Sequence, residues 1–200
     1  PGVLKPLLAI YRAPIQIVHP VEFQGGRSFL MRSTMRIVKL IDKISERTGA
    51  LAAWLVIPLM VVVIIDVFQR HVLNNPTHWG YDVLWMLFSA QFLLGGAFTL
   101  LRKGHIRIDI VYGVLSDRAK VIYDIINTLV IILPPMILLT WAGIVFATDA
   151  WVSGEKLSTT NWFFPAGPSK SLIPIGFFLL ALQCVAEIIR NIYQLKKNNQ

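Results

Sequence analysis

The chain has 200 residues, of which 55% are hydrophobic and 15% charged, and its formal net charge is +8. Soluble domains carry about 25% charged residues, so the deficit points to a membrane. The basic residues flank apolar runs instead of forming one patch, which argues against a nucleic-acid binder. A single cysteine, Cys184, excludes an intramolecular disulfide and any cysteine-rich metal site, and inside an apolar run it reads as a small packing residue.

In chain order, residues 1–34 form an N-terminal extension broken by Pro6, Pro14 and Pro20, with no signal-peptide pattern. Residues 35–49 follow. There Ile37, Leu40, Ile41 and Ile44 recur at helical spacing among Arg36, Lys39, Asp42, Lys43, Glu46 and Arg47. That pattern predicts an amphipathic interfacial helix leading into the membrane. A spanning helix needs about 20 mostly apolar residues. Four stretches qualify, at about 50–72, 81–101, 122–148 and 172–192, and together they make one membrane domain over 50–192 with a tail at 193–200. The fold expected is an all-α integral membrane protein of four transmembrane helices.

Basic residues set the orientation. Eight Lys and Arg precede Ala50, five lie between Arg102 and Lys120, and three follow from Arg190 onward, against Arg70, Lys156 and Lys170 in the other connections. Both termini are therefore predicted to be cytoplasmic. The stretch Arg102-Lys103-Gly104-His105-Ile106-Arg107-Ile108-Asp109-Ile110 falls in the cytoplasmic connection between spans two and three. A lone strand there would leave its backbone groups unpaired, so a second short interfacial element is expected.

Charges within the spans are costly, on the order of 2.5–3.5 kcal/mol for a carboxylate at the centre of a membrane helix. Asp66 has Arg70 at i+4 on the same face. Two readings stand: a self-satisfied pair near the surface, or a pair that holds span two through Asp82 or docks another subunit. Glu187 and Asp124 are expected to pair with Arg190, Arg118 or Lys120. Gln69, Gln91, Asn127 and Gln183 are expected to hydrogen-bond between helices. Pro58 and the Pro134-Pro135 pair predict kinks.

The chain has no phosphate-binding glycine loop, no Gly-x-Ser-x-Gly elbow and no His-Glu-x-x-His pair. No cofactor and no metal are expected. The residues thus favour a four-helix scaffold whose apolar faces serve a membrane partner. A small four-helix membrane enzyme, quinone- or glutathione-dependent, is the alternative, and a channel-forming oligomer a third reading.

Several fragments in order then resemble one family. Arg70 ends span one and is followed by Asn75-Pro76-Thr77-His78-Trp79 and the acid Asp82. Span two carries Gly95-Gly96-Ala97 and Leu101-Arg102, and Gly104-His105-Ile106-Arg107-Ile108-Asp109 comes next, with Leu115-Ser116-Asp117-Arg118 after it. Trp151, Gly154-Glu155 and Ser158 precede Pro174-Ile175-Gly176. From about Ala50 to Arg190 the chain resembles the small permease subunit of tripartite ATP-independent periplasmic (TRAP) transporters, the DctQ-like family. Asp82 stands where that family usually has glutamate. The resemblance implies a bacterial inner-membrane subunit beside a much larger membrane subunit that carries the substrate and sodium sites. It also implies a periplasmic substrate-binding protein that delivers an organic acid. Membrane lipids are further partners. Asp66, Arg70, Trp79, Asp82, Arg102, His105, Arg107 and Asp109 become candidates for structural or subunit contacts. The connections at 73–80 and 149–170 would face the periplasm, with Glu155, Lys156 and Lys170 as candidate docking residues.

Overall fold

Trp54 carries its carbonyl into a gap that Pro58 creates, since proline has no N–H to return to the residue four back. A computed structural model of the protein describes residues 29–102, 116–158 and 162–197, and shows the effect of that gap at the first span. Helix α1, Phe29–Trp54, gives way at Leu55 to α2, Val56–His71. The hydrogen bonds Leu55 N to Leu51 O (3.1 Å) and Leu59 N to Leu55 O (3.2 Å) carry the chain across the interruption. The amphipathic segment is therefore continuous with the first span, and one apolar helical stretch runs Thr34–His71. The chain divides at Met35 into two units, 1–35 and 36–200. Of the first, only the opening of α1 is described.

Helix α3, Gly80–Leu101, is the second span. Residues 103–115 lie outside the described set, and with them His105, Arg107, Asp109 and the second interfacial element. Helix α4, Asp117–Ile126, starts at an N-cap in which Ser116 Oγ accepts from Ala119 N (3.4 Å). It leads through a π-helical segment, Asn127–Ile132, into α5, Leu133–Ser153. The widened turn sits directly before Pro134-Pro135. Two consecutive prolines remove two donors to the preceding turn, and Leu133 N bonds instead to Thr128 O, five residues back. Where the sequence predicts a kink in span three, the helix carries this π segment.

Gly154 ends α5 in the left-handed conformation (φ 64°), and its N–H returns to Ala150 O. The connection to α6, Ala166–Lys197, is short and tied: Leu157 N to Phe164 O at 2.7 Å and Ala166 N to Glu155 O at 2.8 Å. The fourth helix thus begins some six residues before the position predicted at 172. Pro168 is tolerated within a first turn, and Lys170 finds a counter-charge. Lys170 lies in the helix, not in the connection.

The packing uses small residues. Gly143 of α5 meets α6 where Pro174 interrupts it, and a Cβ there would lie 3.0 Å from Ile173 Cγ2 and 3.1 Å from the backbone nitrogen of Pro174. Gly176 of α6 lies so close to Leu93 of α3 that a Cβ would overlap it. Ala97, Ala147, Ala150, Ala166 and Ala186 are buried with them. Lipid tails are as apolar as leucine, so close backbone approach takes over from hydrophobic burial as the source of helix association.

Helix α2 has no buried residue. Tyr81, Trp85, Phe88 and Phe92 form an exposed aromatic ladder on α3, with successive ring centroids 6.1, 6.0 and 6.4 Å apart. Among the described residues four helices are long and apolar enough to cross a membrane: Thr34–His71, Gly80–Leu101, Arg118–Ser153 and Ala166–Lys196. Among the described residues no strand is present, only an isolated bridge between Lys156 and Pro165.

Candidate functional site

Polar side chains gather at both ends of the bundle and nearly vanish between. At the end where α1 begins and α6 finishes, Val38, Ser45, Gly49 and Ala52 form the buried face of α1. Their spacing is helical, and Asp42 falls on the same side. On α6, Gln183, Glu187 and Asn191 recur every fourth residue and are all buried. The two faces meet. Ser45 Oγ donates to Gln183 Oε1 (2.7 Å), and Gln183 Nε2 donates to Asp42 Oδ1 (3.1 Å). Arg190 Nη2 spans both Asp42 oxygens at 2.8 and 2.9 Å, while its Nη1 reaches Glu187 Oε2 at 2.7 Å. One guanidinium thus serves two carboxylates, one nitrogen shared between the Asp42 oxygens and the other given to Glu187. The pairing expected between Glu187 and Arg190 is present. The part of Asp42 was missed, because its charged neighbours made it look like part of a solvated face. Its helical register with Val38 and Ser45 was the available signal.

At the opposite end, Arg70 Nη2 donates to Asp66 Oδ2 at 2.9 Å, as the i+4 spacing predicts. The other Asp66 oxygen accepts a hydrogen bond from Thr77 Oγ1. Thr77 stands just before α3, so Asp66 ties span one to the approach of span two through a threonine. Trp79, the half-buried N-cap of α3, adjoins that contact, and Asp82 is buried in the first turn of the helix. Arg102 closes α3 at its other end, its guanidinium 4.9 Å from the centroid of the Phe98 ring.

The second connection is organised by Lys170. Its ammonium meets Glu155 Oε2 at 2.5 Å and lies 3.9 Å from the centroid of the Phe146 ring. Glu155 is accordingly paired, whereas Lys156 is exposed. Trp151 Nε1 donates to Ser171 Oγ at 3.0 Å.

Other hydroxyls are consumed locally. Thr99, Thr140, Thr148, Ser153 and Ser171 each donate to a carbonyl of their own helix three or four residues back. In hydrocarbon such back-bonding is the cheapest way to satisfy an O–H. Among the described residues no group of three or more His, Cys, Asp or Glu is placed to hold a metal ion. Cys184 is fully buried.

The arrangement is therefore four apolar helices fastened at both ends, with no convergent polar site in mid-bundle among the described residues. A family model described as tripartite ATP-independent periplasmic transporters, DctQ component, matches residues 59–194, about two thirds of the chain. The chain belongs to the DctQ family. It is the small subunit of a TRAP transporter, a multi-pass membrane protein and a transport component, and a tripartite system implies partner subunits. No curated relative matches the chain.

Proposed function

We propose that this DctQ subunit is a scaffold of the bacterial inner membrane. It packs beside the large transport subunit and helps a periplasmic substrate-binding protein to dock, for sodium-driven uptake of an organic acid. The observation that carries the scaffold reading is the contrast between the hydrogen-bonded cluster of Asp42, Ser45, Gln183 and Arg190 inside the bundle and α2, which has no buried residue, with the exposed aromatic ladder of α3. Such a protein acts by packing, and substrate and ion sites belong to its partner.

The excess of basic residues at the termini and in the connection after α3 supports a topology with both termini cytoplasmic. The cluster of Asp42, Gln183, Glu187 and Arg190 then lies on the cytoplasmic side, and the 73–79 and 154–165 connections are periplasmic. Lys156, exposed and unclaimed by Glu155, is the docking charge we favour. Lys170 and Glu155 hold the connection in shape. His105, Arg107 and Asp109 belong to a cytoplasmic interfacial arm that sets its position against headgroups.

Affinity purification of the tagged chain from its native membrane in mild detergent tests the scaffold reading. A stoichiometric membrane protein of ten or more predicted spans is the expected companion. A chain that purifies alone, or as a homo-oligomer, would overturn the reading. For docking, Lys156→Glu is expected to slow transport when the binding protein is limiting. An unchanged rate would remove Lys156 from the interface. Unaltered assembly and transport in a His105→Ala, Asp109→Ala variant would remove the role given to the arm.

A further inference from the structure

Apolar side chains face outward on α2 and α3, and again on α5, where Ile137, Leu138, Trp141 and Val145 are exposed. The two faces differ in one group. No amide side chain lies on α5: Thr140 and Thr148 bond back to their own helix, and Trp141 has a single N–H on a large apolar ring. On α3, Gln91 carries a full carboxamide, half-buried and without a hydrogen bond to any described residue. The interhelical bond expected of it is not made among the described residues. Gln183 shows the alternative inside the bundle, where one end of its amide accepts from Ser45 and the other donates to Asp42.

Depth makes the difference matter. Gln91 is the twelfth of the 22 residues of α3 and stands at the middle of the span. With a hydrocarbon layer about 30 Å thick, either interface is about 15 Å away, beyond the reach of the side chain. Acyl chains offer it neither donor nor acceptor, so two N–H bonds and a carbonyl go unmatched in lipid. Gln69 and Asn127 are better placed. Gln69 lies two residues before the end of α2, and Asn127 about 13 Å from the middle of the Arg118–Ser153 helix, both near headgroups and water. Around Gln91 the surface suits a helix. Leu84, Phe88 and Gly95 share its face, at seven and three residues before it and four after. A Cβ on Gly95 would meet only Ala52 Cβ, at 3.8 Å, whereas one on Gly96 or Gly176 would run into Leu180 or Leu93. Packing within the chain therefore does not require a glycine at 95. One turn from Gln91, Leu59, Leu84, Trp85 and Phe88 line an apolar groove of about 210 Å³.

We infer that this face of α3 is where the large membrane subunit docks. It does so through a transmembrane helix that gives Gln91 a hydrogen-bonding group at mid-membrane and seats a bulky apolar side chain in the groove one turn away. Acyl chains cannot supply the first of these, and a protein helix can. The tripartite family implies partner subunits distinct from this chain, which favours the large subunit over a second copy. The inference rests on the scaffold reading and assigns it a face.

Two measurements on the assembled transporter test it. Benzoylphenylalanine in place of Phe88, irradiated in the native membrane, is expected to crosslink to the large subunit, and in place of Leu138 on α5 it is not. Gln91→Leu removes the amide and keeps most of the bulk. In a dilution series of the purified complex in mild detergent, it should raise the concentration needed to retain the large subunit about three- to tenfold, the worth of one hydrogen bond between membrane helices. The thermal midpoint of the isolated small subunit should stay unchanged, because Gln91 holds no bond to its described residues; a residue that serves only the fold would move that midpoint. Crosslinks from Phe88 to a second copy of this chain, crosslinks from Leu138 alone, or unchanged retention in Gln91→Leu would each overturn the assigned face, while a parent chain that still brings the large subunit with it keeps the scaffold reading. A parent chain that purifies without the large subunit overturns the scaffold reading, and the face with it.

Discussion

Replacing Arg190 with methionine keeps most of the aliphatic stem and deletes the guanidinium that joins α1 to α6. Both Asp42 oxygens, at 2.8 and 2.9 Å, lose their donor, and so does Glu187 at 2.7 Å. Only the Gln183 amide remains on Asp42. Breaking a buried ion pair from one side costs about 3–5 kcal/mol, because the partner charge stays behind. The side chains of Asp42 and Arg190 are 27% and 17% exposed, so water relieves part of the penalty. The low end, about 3 kcal/mol, is therefore expected, or roughly a hundredfold in the unfolding equilibrium. The six tryptophans report unfolding in an SDS titration followed by fluorescence. The triple variant Asp42→Asn, Glu187→Gln, Arg190→Met removes all three charges together and should recover most of the loss, since the cost arises from the stranded carboxylates. Arg190→Lys should be intermediate, because one ammonium cannot span Asp42 and reach Glu187 as a guanidinium does. A single variant within about 0.5 kcal/mol of the parent, or a triple variant no more stable than the single one, would refute the reasoning.

Gly143→Val should destabilise by about 1–3 kcal/mol, the usual cost of overpacking, because its first carbon would already meet Ile173 and the backbone of Pro174; SDS titration measures this, and a neutral result would show that α5 and α6 separate freely. Thr77→Val should cost about 1–2 kcal/mol by taking the hydroxyl from Asp66, with Thr77→Ser retaining most of the stability in the same assay. Topology is checked with a membrane-impermeant maleimide on intact spheroplasts in a Cys184→Ala background: a cysteine at Lys156 should label and one at Lys196 should not, and the reverse pattern would invert the orientation.

Much of the fold was legible because hydrocarbon imposes a simple length rule. The second span predicted at 81–101 is helical over Gly80–Leu101. The fourth was placed at 172 because the apolar run begins there, whereas the helix starts at Ala166, in a more polar turn that a hydropathy rule passes over. Local pairs such as Asp66 with Arg70 follow from spacing alone. The bond between Asp42 and Arg190 joins residues 148 positions apart, and no periodicity reports which face of α1 meets which face of α6. The π-helical segment was likewise invisible: Pro134-Pro135 announces a disturbance, but whether a helix answers by kinking or by widening depends on how its neighbours hold it.

The helices differ in length, at 38, 22, 36 and 31 residues. At 1.5 Å per residue these are about 57, 33, 54 and 46 Å, against a hydrocarbon layer of about 30 Å. Three of them overrun the layer and tolerate a bilayer several ångströms thicker or thinner without exposing an end. Only α3 has little to spare, so α3 sets the depth at which the bundle floats. In a thicker membrane its ends would be drawn inward first, at Asp82 on one side and Arg102 on the other. The subunit would feel membrane thickness through a single helix, as hydrophobic mismatch at two charged termini.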